Sequence, residues 1–163
     1  MTDINQAIMH AKEPVDGREG AAYATIDGRR YLLFQLKNFE AKDDIESLEI
    51  PRLGTKSMGH REGTVKGSWS ATLYYNTDIF RDIAILHRKT GKMTYFDLQI
   101  TNDDPNTSAG RHTTIYKNCL LNSTVMSKLD IENKVLDEEI NGTYDDVEMP
   151  ERFAVLELSL IHI

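Results

Sequence analysis

From Val65 to Tyr75 the chain alternates apolar and polar residues, and at Asn76 the period changes. Val65, Trp69, Ala71, Leu73 and Tyr75 fall on one side, and Lys66, Ser68, Ser70, Thr72 and Tyr74 on the other. A period of two, with small polar groups opposite a bulky row, predicts a strand with one wet face, bulged or weakened at Gly67. The next stretch, NTDIFRDIAILHRKTG, has a helical period, with Ile79, Phe80, Ile83 and Leu86 in one apolar stripe. Asn76 or Thr77 is placed to cap its start, and Asp78 and Asp82 lie near the positive end of the dipole. His87, Arg88 and Lys89 occupy the negative end, and Gly91 can supply a left-handed C-cap. A wet-faced strand running into one amphipathic helix predicts a sheet with that helix laid on it.

The rest reads as strands and turns. Asp27-Gly28 between two apolar runs predicts a two-residue hairpin, because a type I′ turn needs positive φ at both central residues. Further strands are expected at 93–101, 111–117, 119–128 and, more weakly, 139–144, with NDDPNTSAG as the loop between the first two. Residues 38–50 stay polar and extended, and Pro51 closes them. Many strands, one good helix and no βα alternation predict a mainly β (α+β) fold. The architecture expected is an antiparallel barrel or sandwich with a flanking helix. A length of 163 residues suits one domain with a real core. Apolar spacing at Ile4, Ala7, Ile8 and Ala11 predicts an N-terminal arm over 1–16, mobile or docked. The domain is expected over 17–157, carrying an extended loop at about 38–64. Residues 158–163, LSLIHI, are abruptly apolar and match the in-frame translation of a transposon-end sequencing adapter, so they are read as a truncation scar.

Composition removes several function classes. No run approaches the roughly 18 to 20 apolar residues of a membrane span. The acidic N-terminus, broken at Pro14, does not read as a secretion signal, so NTS, NST and NGT at Asn106, Asn122 and Asn141 are read as turn and strand composition. Cys119 is the single cysteine and lies beside Leu120 and Leu121, which reads as a buried small hydrophobe rather than a thiolate. His10, His60, His87 and His112 lack paired-ligand spacing, and NDDPNTSAG lacks the ligand ladder of a calcium loop. The acid pairs Asp43-Asp44, Glu138-Glu139 and Asp145-Asp146 would point to opposite faces if extended, so they read as solvated surface. Net charge is −7, and 130–151 holds nine acids against Lys134 alone. That sign repels nucleic-acid phosphates.

One stretch resists a bland reading. RLGTKSMGHREGTVKG places Arg52, Lys56, His60, Arg61 and Lys66 among Gly54, Gly59, Gly63 and Gly67. The spacing from Gly54 to Gly59 is that of a phosphate loop, yet His60-Arg61 stands where Lys-Ser/Thr is needed, and a strand comes next instead of a helix. Nucleic-acid recognition would interleave aromatics with the cations, and none occurs before Trp69. A long polar, glycine-punctuated segment whose charge complements the acidic third of the same chain fits head-to-tail self-association.

Four stretches then bear a resemblance: GREGAAYATIDGRR, GTKSMGHREGTVKGSWSATLYY, FDLQITNDDPNTSAGRHTTIYKN and SKLDIENKVLDEEINGTYDDVEMPERF. In order and spacing, over 17–153, they resemble the core tail tube proteins of contractile phages and of defective PBSX-like prophages. The chain departs from that pattern in its longer polar run at 37–50 and in the tail after Glu157. The resemblance implies a structural virion protein without enzymatic activity or cofactor. It implies homohexameric rings stacked into the inner tube of a contractile tail, assembled in the host bacterial cytoplasm, through which DNA passes without specific binding. The implied partners are the tail sheath, the tape-measure protein, the baseplate and the tail terminator. On this reading Arg52, Gly54, Gly59, His60, Arg61 and Gly63 belong to an interface between subunits or rings. Thr64, Lys66, Ser68, Ser70 and Thr72 are candidates for the lumen wall. The alternatives are the tube of a headless R-type bacteriocin or secretion-like particle, and a soluble β-sandwich binding module, for which aromatics at 8% give little material.

Overall fold

The computed structural model describes residues 11–33 and 35–154. Eight strands and one helix run in the order β1 (Gly20–Ile26), β2 (Arg29–Leu32), β3 (Leu36–Ile50), β4 (Gly59–Tyr74), α1 (Ile79–Thr90), β5 (Phe96–Asn102), β6 (His112–Ser123), β7 (Asp137–Tyr144) and β8 (Asp146–Glu151). All strand pairs are antiparallel. Across the sheet the order is β2-β1-β5-β6-β7-β4-β3, with β8 on β6. The terminal strands β2 and β3 are not bonded to each other, so the barrel stays open.

The turn between β1 and β2 is the one its dipeptide predicts: φ is 51° at Asp27 and 78° at Gly28, and Ile26 faces Arg29. The two strands expected at 111–117 and 119–128 are one strand, β6, bent at Asn118, whose φ is 54°. Before the bend β6 pairs with β5 and β8; beyond it Cys119 still faces Phe96 of β5, and Leu120–Ser123 run beside β7. The bend carries the chain from one layer into the other, so a continuous hydrogen-bonded path wraps around one core. Residues 124–136 hold no strand.

That core is bridged by aromatics. Trp69 stands edge-on to Phe96 at 5.9 Å, Phe80 of α1 meets the same ring at 5.8 Å, and Phe39 stacks on Trp69 at 6.3 Å. Ala71, Leu73, Leu98, Cys119 and Ile140 fill the space around them. Offset and edge contacts of this kind add about 0.5–1.5 kcal/mol each beyond area burial. The helix starts later than its sequence suggests: Asp78 is the N-cap, without a side-chain cap bond, while Gly91 closes the C-terminus at φ 75° with its N–H on the His87 carbonyl. Phe80 and Ile83 are buried as expected, but Leu86 is exposed and Arg81 is buried in its place.

Of the N-terminal arm, residues 1–10 lie outside the described residues, as do 158–163. The remainder is docked: Thr107 Oγ1 donates to the Glu13 carbonyl at 2.6 Å, and the Asp16 N–H donates to Asp104 at 3.0 Å. Asp104 also accepts from the Asn106 N–H, so the acids of NDDPNTSAG organise turns.

Candidate assembly surface

The segment expected as a loop over 38–64 is mostly a paired ribbon; only 51–58 is unpaired. β3 and β4 run side by side from Leu36–Leu73 out to Ile50–Gly59. Sequence periodicity misses the outer half because a ribbon wet on both faces has no apolar alternation to detect. β7 supports β4 only between Gly67 and Tyr74. Beyond Gly67, among the described residues, the ribbon has no strand on its β7 side, and every residue from Lys42 to Met58 is exposed. Ile45, Leu48, Ile50 and Val65 stand in solvent on this arm. Two strands alone are marginal in water, so an arm of this length calls for a surface to lie on.

The predicted interface residues gather on the arm, but they form no single charged pocket. Gly54 turns the tip at φ 84°, and the Arg52 side chain lies over Gly59 and reaches the Ser57 carbonyl at 3.4 Å. A register shift near Glu46 sets Gly63 and Thr64 against that one residue, and Thr64 Oγ1 donates to Glu46 at 3.0 Å. The bulge re-aims the side chains on its outer side. Arg61 comes to face Leu48 and lies 3.7 Å from Glu62, while His60 faces Glu49.

The arm is fixed at its root. Asp43, Gly67 and Tyr144 sit side by side on β3, β4 and β7. The Tyr144 ring covers Gly67, where a Cβ would stand 2.4 Å from Cε2, and its hydroxyl donates to Asp43. Glycine is required here because the tyrosine occupies its side-chain space. Burial, then the hydrogen bond to Asp43, push the Tyr144 hydroxyl above its ordinary range.

The sheet's other face is wet. Alternation puts Trp69, Ala71 and Leu73 in the core and leaves Ser68, Ser70 and Thr72 half-exposed on the opposite side. Register adds Asn38, Glu40 and Lys42 from β3 and Glu139, Asn141 and Thr143 from β7 to the same wall. Thr64 and Lys66 continue that face onto the arm. The β7 contribution is legible in its alternation of Glu138, Ile140, Gly142 and Tyr144 with Glu139, Asn141 and Thr143.

Glu138 corrects one expectation. The pair Glu138-Glu139 does point to opposite faces, but only Glu139 is solvated; Glu138 is buried and ion-paired with Arg81. The reason is the helix, which delivers a guanidinium to the core face at that point.

Among the described residues the cysteine and histidine side chains do not converge on one site. Cys119 is fully buried, burial pushes its thiol up to about 12, and its Sγ–H points at the Tyr116 carbonyl at 3.4 Å. No group of three His, Cys, Asp or Glu could hold a metal ion among them. His60 is on the arm, His87 ends the helix, and His112 stacks on Phe153 at 4.4 Å. No described helix is long and apolar enough to cross a membrane.

Comparison with known proteins agrees with this anatomy. A family profile described as Phage tail tube protein matches residues 7–151. The chain is 27% identical over 146 residues to the phage-like element PBSX protein XkdM of Bacillus subtilis strain 168, covering 90% of this chain and 97% of that one. It is 28% identical over 144 residues to the uncharacterized protein YqbM of the same strain, covering 88% and 95%. In fold it is similar to a chain of the sheath–tube complex of an extracellular contractile injection system, with TM-score 0.63, 14% identity and coverage of 91% and 98%. It is also similar to a chain of the SPP1 tail tube, with TM-score 0.60, 13% identity and coverage of 91% and 87%. With a matching family profile over most of its length, an open antiparallel sheet and an uncovered arm, the chain belongs to the phage tail tube protein family and is a structural tail tube subunit.

Proposed function

We propose that this subunit forms homohexameric rings that stack into the inner tube of a contractile tail, a conduit for DNA ejection. The observation that carries the reading is the β3–β4 arm: a ribbon exposed on both faces, projecting from a sheet whose remaining edges carry no further strand among the described residues. An exposed edge in a lone subunit invites uncontrolled pairing, and closure around a ring removes it. The arm then lies on a neighbouring copy, through Arg52, His60 and Arg61.

The wall of Ser68, Ser70 and Thr72, flanked by Asn38, Glu40, Glu139 and Asn141, is the face assigned to the lumen. Small polar groups give a smooth wet surface, and with Lys66 included the face carries three acids, Glu40, Asp44 and Glu139, for two lysines, Lys42 and Lys66. A conduit must not bind phosphates, since each ion pair would release counterions and hold the DNA. Six copies at −7 repel it over about 8 Å at physiological salt, enough to keep it off the wall without closing the bore. The tape-measure protein would fill the lumen before ejection. The sheath would enclose the helix side, and baseplate and terminator would close the ends. The fold likeness to chains of an anti-feeding prophage baseplate and cap supports the last two roles. Assembly takes place in the host bacterial cytoplasm, and the virion tail is the final location.

Negative-stain microscopy of the purified protein tests this. Tubes with annular end views and sixfold symmetry are expected; a monodisperse monomer at high concentration in every buffer overturns the reading.

A further inference from the structure

We propose that the loop 124–136 is the receptor on which the arm tip of the next copy docks. The inference rests on the reading of the chain as a self-assembling tube subunit and names the partner surface for its arm.

The loop joins β6 to β7 and holds no regular structure, yet both ends are anchored. Arg81 Nη1 donates to the Val125 carbonyl at 3.2 Å, and Lys128 Nζ donates to the Asp137 carbonyl at 2.8 Å. Between these ties Leu129 and Ile131 are as open as in an extended chain, at 98% and 102% exposure, and Met126 and Val135 are also exposed. A cluster of apolar side chains held out by a fixed loop is a contact surface in search of a partner.

The arm tip matches it. Leu53 is 105% exposed, and Ile50 and Met58 stand beside it in solvent. Charge matches as well. Between Pro51 and Arg61 the tip carries Arg52, Lys56 and Arg61 and no acid. Asp130 and Glu132 flank Ile131. Among the described residues neither has a cation within ion-pair distance, and neither Arg52 nor Lys56 has an acid. Lys134 is the remaining cation of the loop, because Lys128 is tied to Asp137.

Topology forbids the match within one copy. On β4, Tyr74 lies opposite Asp137, where the loop enters β7, while Gly59 begins the strand at the arm tip. At about 3.3 Å per residue the two surfaces are on the order of 50 Å apart, at opposite ends of the same sheet. Complementary patches at opposite ends make a heterologous contact, which propagates from copy to copy instead of closing a pair.

The test introduces Leu53→Cys and Ile131→Cys together and treats assembled tubes with a short thiol-to-thiol cross-linker; buried Cys119 stays silent. A ladder of two, three, four and more chains on a denaturing gel is expected, with neither single variant giving more than dimers. A ladder ending at six places the contact within a ring, and a longer one places it between rings; both support the docking. Ile131→Asp should lose most tube assembly while circular dichroism and thermal unfolding stay unchanged, because the side chain is fully exposed. If wild-type tubes form, the double variant gives no ladder and Ile131→Asp assembles normally, the receptor is wrong and the tube reading stands. If wild-type protein forms no tubes, the tube reading fails and the receptor falls with it.

Discussion

Arg81 and Glu138 form an ion pair in the core, with their side chains 9% and 1% exposed. The guanidinium makes further contacts: it also donates to Asp78 at 2.8 Å and to the carbonyls of Val125 and Thr77, and it lies 4.6 Å over the Tyr75 ring. One side chain thus ties the start of α1, the loop 124–136 and β7 together. Losing Glu138 leaves the buried guanidinium with only the exposed Asp78 carboxylate as counter-charge. Removing one partner of a buried pair costs about 3–5 kcal/mol, and because Asp78 remains, Glu138→Ala should lose about 3 kcal/mol in denaturant unfolding. Arg81→Met combined with Glu138→Leu should lose less than Glu138→Ala alone, since no charge is stranded. Equal losses would show that packing, not charge, holds this point.

Tyr144 and Asp43 predict a pH dependence. The tyrosine hydroxyl is held above its ordinary value of 10.0, by burial first and by the hydrogen bond to Asp43 next. Burial also raises Tyr116, whose ring lies 4.9 Å away. A folded-state pKa above the unfolded one means the stabilisation is fully present below pH about 10 and is lost as pH rises through the folded value. Burial raises the Cys119 thiol as well, from 9.0 to about 12, so thermal unfolding measured from pH 8 upward should show stability falling from about pH 9 and more steeply above about pH 10. In Tyr144→Phe the fall should be shallower but still present because of Cys119 and Tyr116. At neutral pH the same variant should cost about 1 kcal/mol, the worth of one hydrogen bond.

How much of the fold is readable from sequence depends on whether each face is buried. The hinge from β4 into α1, the Asp27-Gly28 turn and the wet row of Ser68, Ser70 and Thr72 all obey local rules, and the structure keeps them. The outer half of β3 and the whole of β8 have exposed residues on both faces, so nothing in their pattern distinguishes strand from loop. Glu138 escapes a sequence reading because its partner is distant in the chain, on a helix whose apolar stripe gives no hint that Arg81 turns inward. The arm residues stand out as a group through glycine and charge, while the bulge that sorts them between faces is a matter of register, which composition does not encode.

Charge reversal on the arm tests its role independently of the loop. Arg52→Glu with Arg61→Glu replaces two exposed cations without touching the core. If they meet acids on a neighbour, the critical concentration for tube formation should rise at least about tenfold, equivalent to about 1.4 kcal/mol for the two cations together. Wild-type assembly should weaken as salt approaches 1 M, where screening acts over about 3 Å. Sedimentation of tubes against protein concentration measures both. Unchanged assembly of the double variant would remove these cations from the interface.

The proposed lumen face makes a sharper demand. Ser70 lies in the middle of the wet wall, between Glu40 of β3 and Asn141 of β7. In Ser70→Cys the new thiol should react in the monomer with a small maleimide and with a maleimide carrying a bulky polymer alike, because the face is open. In assembled tubes the small reagent should still enter through the ends, while labelling by the bulky one should fall at least about tenfold. Cys119 contributes no background, since burial holds its thiol protonated and out of reach. A Cys placed at Lys89, on the exposed helix end, should react with both reagents in both states if that side faces outward. Should the two positions exchange behaviour, the wet wall is the outer surface and the helix lines the bore.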